Sequence, residues 1–94
     1  MSVTIWKYMV PVNDTFELSM PAGARILCTQ SQKGSPQLWA MVNPDMPSVI
    51  RKFRIVGTGH PVPSPELLNY VGTFQIAEGD FIFHLFEIFT REAL

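Results

Sequence analysis

The chain predicts an all-β domain of about seven antiparallel strands joined by hairpins, either a β-sandwich or a small barrel. Three observations predict it. Eight prolines and six glycines cut the 94 residues into short runs. Nearly every run is rich in Val, Ile, Thr, Phe, Tyr or Trp, the residues that fit a pleated, half-buried surface. Several runs alternate apolar with polar, which is the two-residue period of a strand.

The first run is "VTIWKYMV" (3–10), ended by Pro11, which removes a ladder donor. "TFELSM" (15–20) places Phe16, Leu18 and Met20 on one face and Thr15, Glu17 and Ser19 on the other. Asn13-Asp14 between these runs is turn chemistry, so the two are expected to form a hairpin. "MPAGA" (20–24) is a corner. "RILCTQSQ" (25–32) and "QLWAMV" (37–42) then flank "KGSP" as a second hairpin, with Gly34 supplying the turn. "NPDMP" (43–47) is a loop. "SVIRKFRIVG" (48–57) is the longest strand, with Arg51 on the face of Val49, Phe53 and Ile55.

Ser64 and Pro65 open at most one short helical turn over 64–68. "NYVGTFQI" (69–76) and "DFIFHLFEIF" (80–89) make the last hairpin around Ala77-Glu78-Gly79. The final strand is apolar on both faces except for His84 and Glu87. Such a strand belongs in the middle of a sandwich or under a partner, for example paired across a two-fold axis. The whole is a single domain, 1–94, with 88–94 reading as a flexible arm.

Composition sets the function classes. The hydrophobic share is 47% and the charged share 16%, against about 25% charged in ordinary soluble chains. Low charge on a small body leaves apolar surface, which implies a homo-oligomer or a protein partner. A net charge of −1 offers no field for a phosphate backbone, so nucleic acid is not an expected partner. One cysteine, no apolar run of membrane-spanning length and no leader pattern at the start point to a reducing cytoplasm and no membrane.

The inventory for chemistry is thin. Cys28 lies mid-strand, where a lone cysteine acts as a small hydrophobe. It can be drawn into a triad with His60 and Asp45, but no spacing favours that. No Cys or His pair has metal-ligand spacing, and the eight acids are scattered through turns and outward faces. No catalytic residue, metal or cofactor is expected, and the chain reads as a non-enzyme.

The remaining candidate is the corner "RIVGTGHPVP" (54–63). It is first a tight turn after a long strand. Beyond that, Gly57 and Gly59 let backbone N–H groups converge as an anion nest. Thr58 adds a hydroxyl, His60 a proton-dependent donor, and Arg54 a charge. Trp39 or Tyr8 would supply an aromatic face. These seven residues are the expected site for a small anionic or nucleotide-like ligand.

"IWKY" (5–8), "MPAGA", "LWAMV" (38–42), "FRIVGTGHP" (53–61), "YVGTFQ" (70–75) and "FHLFE" (83–87) together resemble a family of small uncharacterised proteins of tailed phages and prophages. The resemblance spans Ile5 to Glu87. It implies expression in the cytoplasm of an infected bacterium and carries no established activity. Small proteins of that setting block host proteins, counter-defence being one form, sequester small signals, or serve as accessory and structural parts. The expected function is therefore binding to a host protein through an apolar surface. The alternatives are ligand sequestration at the 57–60 corner and an oligomeric phage component.

Overall fold

A computed structural model describes residues 2–89. The strands are β1 (Thr4–Met9), β2 (Thr15–Pro21), β3 (Arg25–Gln32), β4 (Ser35–Val42), β5 (Ser48–Gly57), β6 (Leu68–Ile76) and β7 (Phe81–Ile88). They form two antiparallel sheets. One has the order β1-β4-β3 and the other β2-β5-β7-β6. The architecture is thus a sandwich with no closed barrel. Among the described residues no helix is long and apolar enough to cross a membrane.

Alternation decides the core. Phe16 and Met20 of β2, Phe53 and Ile55 of β5, Leu85 of β7 and Phe74 of β6 face inward. Leu38, Ala40 and Val42 of β4 meet them from the other sheet. Phe16 and Phe53 stack with centroids 5.1 Å apart.

Two of the three expected hairpins form. β3 and β4 join through Lys33 and Gly34, with φ of +52° and +79°. Positive values at both central positions define the type I′ turn that suits the twist of a hairpin. Its loop is shorter than expected, because Ser35 and Pro36 already belong to β4. β6 and β7 join around 77–80, where Ala77, Glu78 and Gly79 all have positive φ.

The expected hairpin between the first two runs does not form. β1 pairs with β4 and β2 with β5, so residues 10–14 cross from one sheet to the other. The cause is Val10, which is buried in the core and donates its N–H to Pro36 C=O at 3.1 Å. A tight hairpin would carry that side chain out of the core.

The last strand also differs from expectation in its edges. β7 sits between β5 and β6 and has a ladder on each side. No edge of β7 is left to pair across a two-fold axis. Its doubly apolar pattern does not mean burial on both faces: Phe81 and Ile82 are 56% and 40% exposed, and only Leu85 is fully buried. Ile88 is paired with Leu68, and Phe89 N–H donates to Leu67 C=O at 2.6 Å. The start of the expected arm is therefore anchored; residues 90–94 lie outside the described residues. The expected helical turn is a 3-10 turn, Pro65–Leu67. Ser64 serves it through its backbone and not as a side-chain cap, since it sits at φ +45° and its C=O accepts from Leu67.

Arg51, on the inner face of β5, needs a partner there. Glu87 on β7 supplies one through a two-point contact, with Nη2 to Oε1 at 2.9 Å. Arg51 Nη1 also donates to Ala24 C=O at 2.8 Å. The bond to Glu87 raises the Arg51 pKa above its ordinary value, against the opposing effect of burial.

The two sheets approach closely where β3 lies over β6. A Cβ at Gly72 would sit 2.9 Å from Thr29 Cγ2. Thr29 cannot rotate away freely, because its buried hydroxyl donates to Gln37 C=O at 2.7 Å. Gly72→Ala is therefore expected to cost about 1–3 kcal/mol through overpacking. In a Thr29→Ser background that cost falls, which a double-mutant cycle of denaturant unfolding measures. Additive losses would remove this account of Gly72.

Candidate functional site

β5 leaves its sheet at Gly57 and turns at once. His60 N–H donates to Gly57 C=O at 3.1 Å. Gly59, third in the turn, has φ +87°, the positive value that a type II turn requires there. A Cβ at 59 would meet nothing, so glycine is needed for its backbone angle alone. Gly57 has a different reason. The His60 ring folds back over it, and a Cβ would lie 3.1 Å from His60 Nδ1.

Two of the amides expected to form an anion nest already have partners. Thr58 N–H already donates to Ile82 C=O at 3.3 Å, and the His60 amide closes the turn.

The hydroxyl of Thr58 meets a different histidine from the one its sequence neighbourhood suggests. Thr58 Oγ1 lies 2.7 Å from His84 Nε2. On the other side of that ring, Thr73 Oγ1 lies 2.9 Å from Nδ1. The Tyr70 hydroxyl continues the chain at 2.5 Å from Thr73 Oγ1. The register explains the contact, because Thr73 stands directly opposite His84 on the outer face. A neutral imidazole donates from one nitrogen and accepts at the other, and hydroxyls do either. The chain is therefore satisfied in both tautomers. Thr58 and His84 have the spacing of a nucleophile and its base. The group behind the ring is the Thr73 hydroxyl, however, where a Ser-His-Asp triad has a carboxylate to stabilise an imidazolium.

Arg54 and His60 border an open hollow of about 360 Å³ beside the turn, with Asn13 and Asp14 on its wall. Among the described residues Arg54 has no ion pair and the His60 ring no hydrogen bond. Tyr8 and Trp39 do not join this hollow. Both belong to the other sheet, and they face opposite sides of it, since Lys7 stands opposite Trp39 and Tyr8 opposite Leu38. Trp39 is half-buried on the outer face beside Cys28. Tyr8 points inward against the core. Of the seven expected site residues, the structure gathers Arg54, Gly57, Thr58, Gly59 and His60 at one corner and leaves the two aromatics elsewhere. Among the described residues no three of His, Cys, Asp and Glu come together as a metal would need.

The Tyr8 hydroxyl is enclosed and has no hydrogen-bond partner among the described residues. Burial raises its pKa above the ordinary 10.0, and the nearby Arg51 charge opposes that rise. Removing an unpaired buried hydroxyl favours the fold, so Tyr8→Phe is expected to stabilise by about 1 kcal/mol. The raised pKa sets the pH dependence. Wild-type stability is fully present below pH 10 and falls above it, where the unfolded phenol ionises first. The advantage of Tyr8→Phe therefore widens at alkaline pH, as thermal melts across that range would record. Gly59→Ala is expected to cost about 1 kcal/mol in denaturant unfolding from backbone strain alone; Gly59→Asn would cost less, because Asn tolerates positive φ.

Comparison with known proteins adds one result. No curated protein and no solved structure matches the chain. A family model described as a domain of unknown function, DUF7352, matches residues 1–93. With that match running along almost the whole chain, the protein belongs to the DUF7352 family.

Proposed function

We propose that this protein is a non-enzymatic binding module that takes up another polypeptide by strand addition at β1. One observation carries the reading. β1 is an edge strand of its sheet, and Ile5, Trp6 and Met9 on it are exposed at 56%, 42% and 69%. Val3 and Val12 extend the exposed apolar surface at either end.

The backbone of β1 supports the same reading. Pairs in an antiparallel ladder alternate between bonded and non-bonded. Val10 N–H donates to Pro36, so Tyr8 and Trp6 direct their backbone groups toward β4. The N–H and C=O of Ile5, Lys7 and Met9 then point away from the sheet. An extended segment laid along this edge gains main-chain hydrogen bonds and meets apolar side chains at alternate positions.

The resemblance to phage and prophage proteins supplies the setting. The partner would be a host protein in the bacterial cytoplasm, with counter-defence one outcome of blocking it. The test is capture from a bacterial lysate with wild type and with Ile5→Lys, followed by hydrogen exchange on the complex. Ile5 is exposed, so the substitution is expected to shift stability by no more than about 0.5 kcal/mol. Capture is expected to be lost in the variant, and the amides of Ile5, Lys7 and Met9 are expected to gain protection in wild type. Equal capture by both proteins would end the reading.

A second reading rests on the 360 Å³ hollow, where Arg54 and His60 present donors to a small anionic or nucleotide-like ligand. It requires a nucleotide that raises the melting temperature of wild type but not of His60→Ala.

A further inference from the structure

We infer that the corner after β5 is a nucleotide site, with the phosphate in the 360 Å³ hollow and the base in an adjoining apolar slot against Phe86. This rests on the reading of the hollow as an anion site and names the ligand class that fills it.

The slot has a volume of about 150 Å³. Val56, Val62 and Phe86 line it, with Thr58, His60 and His84 as its polar groups. It shares Val56, Gly57 and His60 with the hollow, so the two spaces meet at the His60 ring. Strand register explains the neighbourhood. Arg54 on β5 stands opposite Phe86 on β7, and Phe86 stands opposite Tyr70 on β6. Tyr70 packs edge-on against Phe86, with centroids 5.6 Å apart and planes at 62°. Phe86 is thus the aromatic that neither Tyr8 nor Trp39 brings to this corner.

The mixture of surfaces favours a nucleotide over simpler occupants. Arg54 and His60 border the hollow as donors without a partner among the described residues, which suits a phosphate. Asp14 lies on the wall of the same hollow. A bare anion gains nothing from that carboxylate, whereas ribose hydroxyls donate to one. The slot adds the apolar space that a ring needs. A free phosphate would leave the slot empty, and a purely apolar molecule would leave Arg54 unused.

The hydroxyl chain supplies the group that meets the base. With a neutral imidazole, Tyr70, Thr73, His84 and Thr58 hold four hydrogens for three hydrogen bonds. One end of the chain therefore keeps a spare donor. A phenol is a stronger acid than an aliphatic hydroxyl, so Tyr70 takes the donor role toward Thr73. Thr73 then donates to His84 Nδ1, and His84 Nε2–H donates to Thr58. The Thr58 hydrogen stays free for an acceptor in the slot, and base carbonyls and ring nitrogens are such acceptors.

Calorimetric titration with the four ribonucleoside 5′-monophosphates, their nucleosides and inorganic phosphate tests the site. At least one monophosphate is expected to bind roughly tenfold or more tightly than both its nucleoside and phosphate. Thr58→Val is expected to weaken that monophosphate about two- to tenfold, the range of one hydrogen bond, with phosphate unchanged and Thr58→Ser restoring the affinity. Val62 is 40% exposed, so Val62→Asn disturbs the fold little. It is expected to weaken the monophosphate and leave phosphate alone, while His60→Ala weakens both. Monophosphates that bind no better than phosphate, or that keep their affinity in both Thr58→Val and Val62→Asn, would overturn the base slot. Should His60→Ala still abolish phosphate binding in that case, the anion reading stands and only the nucleotide assignment falls. No binding of phosphate or of any monophosphate would overturn both.

Discussion

The crossing of the chain at Val10 governs the rest of this fold. Residues 10–14 carry the backbone from one sheet to the other while Val10 stays in the core. Once β1 and β2 lie in different sheets, neither can serve as the other's ladder. β2 is taken up by β5, and β1 must wait for β4, which arrives about thirty residues later. β4 is then flanked by β1 and β3, and among the described residues β1 is left with one side unpaired. The open edge on which the proposed strand addition rests is therefore a consequence of where a single valine is buried.

The inward pair of Arg51 and Glu87 plays a related part in the second sheet. Neither residue can face the core alone, because a buried unpaired charge is strongly disfavoured. Together they join β5 to β7, and the guanidinium reaches on to Ala24 C=O at the entry to β3. A slip of β7 against β5 by one residue would turn Glu87 outward and strand Arg51 inside. The pair thus ties the register of the four-stranded sheet to the start of the other sheet, and it does so with directional bonds where apolar contacts would tolerate a shift.

The same logic separates what was legible in the sequence from what was not. The strands were legible, because alternation and β-branched content are local. So were the hairpins at Lys33-Gly34 and at 77–79, where the turn residues alone demand positive φ. Asn13-Asp14 looked like an equal signal, but the residues that turn a hairpin also turn a crossover between sheets. The difference lay in Val10, whose burial depends on a strand far away in the chain. At the corner, Gly59 was readable from turn chemistry. The partner of Thr58 was not, since His60 is close in sequence and His84 close only through the β6–β7 register. Tyr8 and Trp39 could be placed on strands, but their opposite faces follow from the pairing of β1 with β4.

The treatment of the other edges shows why β1 matters. β3 and β6, the exposed ends of their sheets, cover each other, and Ser31 Oγ donates to Gln75 C=O between them. β2 carries Glu17 on its outer face and ends in Pro21, both of which discourage further pairing. Among the described residues, β1 has neither cover nor a charge that stays at the edge. An open, apolar edge of this kind promotes uncontrolled association unless something occupies it. The strand-addition reading follows from that contrast among the four edges.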